Sequence, residues 1–142
     1  MLYNDNMDLI KNKGCKSILI VEDDGSIRSI IEQLLLKAGY SVETAANGMH
    51  ALQKLNTGKK IDLIICDYKM PGIDGHKLFN IAKETDRFKA IPFLFVSGYL
   101  DQRLVVTLAK KGILGAIAKP FKLDLLLTKV RDFFSSGLSE AT

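Results

Sequence analysis

Short apolar runs alternate five times with stretches of helical periodicity along this chain, and few architectures accommodate that rhythm. The first run, 17–21, is Ser-Ile-Leu-Ile-Val, short and β-branched like a strand buried on both faces of a parallel sheet. After it Ile27, Ile30, Ile31, Leu34 and Leu35 recur at helical spacing, with Asp24 or Ser26 available as the cap and Gly39 as the stop. The less apolar run 42–46 reads as a strand nearer an edge. Asn47 then opens a short helix carrying Ala51, Leu52 and Leu55, which Gly58 ends. The pair repeats as a strand over 61–66 and a helix over 75–85, capped by Asp74, with Leu78, Ile81 and Ala82 as its apolar face. Pro92, tolerated only at a strand's start or edge, introduces the strand 93–96, and a helix over 101–111 follows and stops at Gly112. The fifth run, 113–118, is interrupted by Gly115. The last helix keeps Leu123, Leu126, Leu127, Val130 and Phe134 on one face.

Strand and helix in alternation predict an α/β domain whose parallel sheet is covered on both faces by right-handed crossovers. Periodicity does not fix strand order. The usual solution at this size is the flavodoxin-like, doubly wound (βα)5 arrangement, a five-stranded sheet in the order 2-1-3-4-5. With 142 residues, 47% of them hydrophobic, the chain has core material for one domain and little room for two. That domain is expected over 16–135, with 1–15 and 136–142 as disordered tails.

Composition excludes several function classes. The net charge of +4 comes from scattered lysines such as Lys59-Lys60 and Lys110-Lys111, without the basic stripe and interleaved aromatics of a nucleic-acid surface. Cys15 and Cys66 lie in unrelated contexts, so neither a disulfide nor a zinc framework is indicated, and Cys66 reads as a small core hydrophobe. Residues 1–14 lack the hydrophobic region of a secretory signal, and no apolar run nears the roughly 18 residues needed to cross a bilayer. A soluble cytoplasmic protein with no membrane partner is expected. His50 and His76 have no partner at ligand spacing and read as surface residues, and Met70 is expected to pack beneath its loop.

The polar residues that close the apolar runs are more informative than the runs. In an open parallel sheet, chemistry collects beyond the carboxyl ends of the strands. Here those ends carry Glu22-Asp23-Asp24, Asp67, Ser97 and Lys119. The order 2-1-3-4-5 sets strands 1 and 3 side by side, bringing Glu22 and Asp23 next to Asp67, with Ser97 and Lys119 on the other flank. Crowded carboxylates repel and either hold protons or demand a cation, and an oxygen-only set suits a hard divalent ion such as Mg²⁺. A phosphoryl group neutralised there could be attacked in line by an Asp67 oxygen. Lys119 would supply a second positive charge and Ser97 a hydroxyl donor.

These residues also resemble a known family. Val21-Glu22-Asp23-Asp24, Asp67 with Met70-Pro71 and Asp74-Gly75, Val96-Ser97-Gly98, Lys119-Pro120-Phe121, and Asn47-Gly48 with Ala51-Leu52 are similar to the motifs of receiver domains of two-component response regulators, over roughly 16–134. The resemblance implies that Asp67 accepts a phosphoryl group from a sensor histidine kinase or histidine phosphotransfer protein. It further implies that Asp23, Asp67 and the backbone carbonyl of Lys69 ligate Mg²⁺, with Glu22 acting largely through water. Lys119 would pair with the acidic cluster and then with the phosphoryl group, across a cis Lys119–Pro120 bond. Ser97 would swing toward the phosphoryl group, and Gly98 would leave room for access. Lys69 and Tyr99 take positions that line the approach of water, and are expected to tune how long the phosphoryl group lasts.

Self-phosphorylation and self-dephosphorylation, without turnover of outside substrates, follow from the same resemblance. A hydrolytic phosphotransferase would want an Asp where Lys69 stands, and a flavodoxin-type nucleotide or flavin binder would want a phosphate-cradling loop where Glu22-Asp23-Asp24 would repel the ligand. Partner binding is expected to change through the fourth helix, fifth strand and last helix, 101–134, toward a downstream protein rather than nucleic acid. Receivers often carry an aromatic residue three positions before the lysine. Ala116 stands there, so a tyrosine-based switch is not expected. The alternative is a degenerate receiver acting as a phosphorylation-independent interaction module.

Overall fold

Strand β1 (Ser17–Val21) is buried from Ile18 onward and lies inside a parallel sheet whose spatial order is β2-β1-β3-β4-β5. The structure is a computed structural model that describes residues 15–98 and 102–136. The other strands are β2 (Ser41–Ala45), β3 (Leu63–Asp67), β4 (Phe93–Ser97) and β5 (Gly115–Ala118). They alternate with helices α1 (Gly25–Lys37), α2 (Gly48–Leu55), α3 (Gly75–Glu84), α4 (Gln102–Lys110) and α5 (Leu123–Ser135). The expected doubly wound topology is therefore the one found.

Side-chain alternation along the strands divides the core in two. Ile18, Ile20, Leu63, Ile65, Leu94 and Val96 face α1 and α5, meeting Ile31, Leu35, Leu126 and Val130. Leu19, Val21, Ile64, Cys66, Phe93 and Phe95 face the other way, onto Ala51 and Leu55 of α2, Leu78, Phe79 and Ala82 of α3, and Leu108 of α4. Helical periodicity overstated the width of the buried stripes. Ile30, Ile81 and Leu123 are exposed, and Phe79 takes the core position on α3. A helix lying on a sheet buries a narrow arc, and these residues fall just outside it.

Caps fall on the expected side chains. Asp24 Oδ1 accepts from the Ser26 and Ile27 amides (2.9 and 3.0 Å), Asn47 Oδ1 from the His50 amide (2.8 Å) and Asp74 Oδ1 from the Lys77 amide (2.9 Å). Gly39 ends α1 with φ +97°, where a side chain would be strained. Strand limits differ by a residue or two. β3 starts at Leu63 and runs through Asp67, so the carboxylate belongs to the last strand position. β5 starts at Gly115, after Leu114 has donated to the Phe93 carbonyl at 2.8 Å.

Residue 101, the expected start of the fourth helix, lies outside the described residues, as do 1–14 and 137–142 of the expected tails. Cys15 and Ser136, at their inner ends, make hydrogen bonds to the domain. His50 and His76 are half-buried rather than on the surface, because each leans on the loop before its helix. His50 Nδ1 accepts from the Ala46 amide at 3.3 Å, and the His76 ring stacks on Tyr68. Among the described residues no helix is long and apolar enough to cross a membrane.

Candidate functional site

Four strands deliver polar groups to one end of the sheet. Val21 pairs with Cys66 and Asp67 with Val96 in register, so Glu22 emerges one step beyond β1 beside Asp67, while Ser97 closes β4 on the other side. Lys119 follows β5, and its amide donates to the Ser97 carbonyl at 2.8 Å. The next bond, Lys119–Pro120, is cis. The side-chain amine of Lys119 then reaches back across β3, donating to Glu22 Oε1 at 2.7 Å and to Asp67 Oδ2 at 3.0 Å. Carboxylate oxygens of Glu22, Asp23 and Asp67 all lie within 4.8 Å of one another.

Glu22 and Asp67 are buried, at 2% and 8% exposure, while Asp23 is exposed and forms the open side. Burial is the largest influence on Glu22 and lifts its carboxyl above the ordinary value; Lys119 and the Asp24 amide, which donates to Oε2 at 3.1 Å, offset this only in part, and Asp67 adds repulsion. Lys119 is pushed up as well. Burial opposes its charge, but the hydrogen bonds and attraction of two carboxylates outweigh that cost. One ammonium therefore serves two buried carboxylates and a third nearby, an arrangement short of positive charge. An all-oxygen donor set in that condition fits a hard cation such as Mg²⁺.

The expected site residues other than Tyr99 have a definite place. Asp67, Glu22, Asp23 and Lys119 are gathered. Ser97 is buried at the end of the strand next to Asp67, in line with its expected position. Lys69 is exposed in the following loop, and its amide donates to Asp67 Oδ1 at 3.3 Å. Tyr99 lies outside the described residues. Met70 is buried beneath the loop, and the Cys66 thiol, fully buried behind the site, is held well above its ordinary pKa by burial and by the neighbouring carboxylates.

Two features were not anticipated. Arg28, one turn into α1, donates from Nη1 to the Glu22 carbonyl at 2.8 Å and so braces the acidic loop. Gly75, the first residue of α3, is wedged against the site. Its amide donates to the Tyr68 carbonyl at 2.9 Å, and a Cβ there would collide with the Asp67 carbonyl and lie 2.9 Å from Tyr68 Cα. The sequence signal was its place in the Asp74-Gly75 motif at a helix start, with no unusual φ to require a glycine. Gly75→Ala is expected to destabilise the fold by about 1–3 kcal/mol through forced backbone movement. At Gly25, where the nearest atom to such a Cβ is 3.5 Å away, the same exchange is expected to stabilise by roughly 0.4–1 kcal/mol. Thermal melts of the two variants make the comparison, and equal melts would mean that the Gly75 contact relaxes freely.

Comparison with known proteins follows the same geometry. The family model described as the response regulator receiver domain matches residues 18–131. The chain is 32% identical over 118 residues to the chemotaxis protein CheY of Pseudomonas aeruginosa, covering 82% of this chain and 94% of that one. It is 33% identical over 120 residues to the sensor kinase CckA of Brucella abortus, covering 84% of this chain but spanning only 12% of that protein. Among solved structures, the chemotaxis protein CheY4 of Vibrio cholerae superposes with a TM-score of 0.76 at 31% identity, covering 82% of this chain and 97% of that one.

Proposed function

The chain belongs to the response regulator receiver domain family of two-component signalling, and from that membership we propose that it is a cytoplasmic phosphoacceptor switch acting through Asp67. The observation that carries the reading is the carboxylate cluster of Glu22, Asp23 and Asp67 with the Lys119 ammonium bonded to two of its members. A phosphohistidine on a sensor histidine kinase or histidine phosphotransfer protein is the donor. An Asp67 oxygen attacks phosphorus, the new P–O bond forms, and the P–N bond breaks with its electron pair passing to the imidazole nitrogen. Asp23, Asp67 and the Lys69 carbonyl would hold Mg²⁺, with Glu22 reaching it through water; the bound ion supplies positive charge to the phosphoryl oxygens.

Lys119 then exchanges part of its bonding to Asp67 for a phosphoryl oxygen, and the Ser97 hydroxyl turns to donate to another. Lys69 stands over the approach of water and sets the lifetime of the acyl phosphate; Lys69→Ala should change the time course of phosphate loss, and an unchanged course would remove it from that role. Output to a downstream protein runs through the face made by α4, β5 and α5. Val106, Leu114 and Leu125 are exposed apolar residues of that face. Neither nucleic acid nor a membrane is the direct target.

Incubation with Mg²⁺ and acetyl phosphate, followed by intact mass and peptide mapping, tests the reading. One added phosphoryl group on the peptide containing Asp67 is expected. No adduct would favour a degenerate receiver that binds partners independently of phosphorylation.

A further inference from the structure

We propose that helix α3 is a second readout of the state of Asp67, driven through Tyr68, Gly75 and His76. The inference rests on Asp67 being the phosphoryl acceptor and adds a route by which that event leaves the site. Ala116 removes the aromatic side chain that the fifth strand would otherwise offer for this purpose. On the neighbouring strand, where Phe95 pairs in register with Ala116, an aromatic connection is present. Tyr68, the residue after the acceptor, is buried with its ring edge-on to Phe95 (5.4 Å between centroids, 82°) and stacked on His76 of α3 (5.6 Å, 21°). Phe95 also meets Phe79 of α3 at 5.9 Å, so the helix is held to the same ring cluster at two points.

The backbone is coupled as closely as the rings. The Gly75 amide bonds the Tyr68 carbonyl, and the space beside Gly75 is so filled by Asp67 and Tyr68 backbone that no Cβ fits. Movement of residues 67–68 therefore has no slack in which to dissipate before it reaches the first turn of α3. Phosphorylation supplies the movement. The Asp67 oxygen that joins phosphorus loses its negative charge, and the carboxylate currently accepts from the Lys69 amide through one oxygen and from Lys119 through the other. Phosphorylation at Oδ1 weakens the Lys69 amide bond that now fixes the 67–69 backbone, and at Oδ2 it weakens the bond that ties the same side chain to Lys119. Loop and helix start shift together, and the exposed or half-buried α3 positions Lys77, Asn80 and Ile81 present the change to a partner.

NMR of the full chain with ¹³C-histidine and ¹⁵N labels, in Mg²⁺ before and after acetyl phosphate, reads this directly, with intact mass recording the adduct on the same samples. His76 ring resonances and the amides of residues 75–82 are expected to shift on phosphorylation. In Tyr68→Leu the adduct should form while the His76 and α3 shifts are lost, and Tyr68→Phe, which keeps the ring, should retain them. An adduct in the parent chain with α3 unmoved overturns the inference alone, as do full-sized α3 shifts in Tyr68→Leu. Absence of any adduct in the parent chain overturns both this inference and the phosphoacceptor reading beneath it.

Discussion

Exchanging Asp67 for asparagine is expected to abolish the phosphoryl adduct completely while leaving the metal-free fold at least as stable as the parent. The two outcomes have separate causes. An amide oxygen is too weak a nucleophile to attack phosphorus. Stability moves the other way because the exchange removes one of two buried carboxylates that share a single ammonium, relieving repulsion that adds to the burial holding Glu22 above its ordinary value. Intact mass after acetyl phosphate treatment and a thermal melt without divalent ions measure both. A large drop in melting temperature would identify Asp67 as a structural end-cap of β3 instead.

Removing the cation rather than an anion should have the opposite effect on the fold. In Lys119→Ala, Glu22 and Asp67 face each other with 3% and 9% side-chain exposure and no ammonium between them. Breaking a fully buried pair from one side costs ~3–5 kcal/mol, and Lys119 is itself partly exposed, so a loss of about 2–3 kcal/mol at neutral pH is expected. Two conditions should restore much of it. Mg²⁺ should raise the melting temperature of the variant more than that of the parent, since the ion replaces the missing charge. Acid should help as well. Glu22 in the fold binds its proton more tightly than its ordinary value of 4.5 implies, so its protonated form favours the fold, and that contribution is lost as pH rises through the elevated value. A variant that melts like the parent in metal-free buffer at neutral pH would mean that Lys119 does not hold the carboxylates together.

The parallel sheet was legible because its signal is redundant: β1, β3 and β4 are unbroken apolar runs, and Asp24, Asn47 and Asp74 mark the helix starts that follow the first three strands. Asp67, Glu22, Asp23 and Lys119 were legible through topology, since each stands at a strand's carboxyl end and the strand order brings those ends together. What escaped was set by three-dimensional fit. Ile81 sits at helical spacing yet lies exposed, because its burial depends on how α3 rolls on the sheet. Gly75 looks like an ordinary helix-start glycine until the backbone of Asp67 and Tyr68 is placed against it. Arg28 reaches back from α1 to a carbonyl, a bond that leaves no periodic trace. Ala116 was visible as a missing aromatic, but the ring cluster of Tyr68, Phe95 and His76 beside it was not, since three separate elements contribute those rings.

The ion pair between Lys119 and Glu22 joins residues 97 positions apart in the chain. So distant a pair can form only where β1, β3, β4 and β5 lie side by side, because the lysine reaches Glu22 from the far side of β4 and β3. A chain in which β5 has come away from β4 thus has Asp67 without the lysine that bonds it. On the proposed reading, competence to receive the phosphoryl group is then a property of the completed sheet rather than of any one segment.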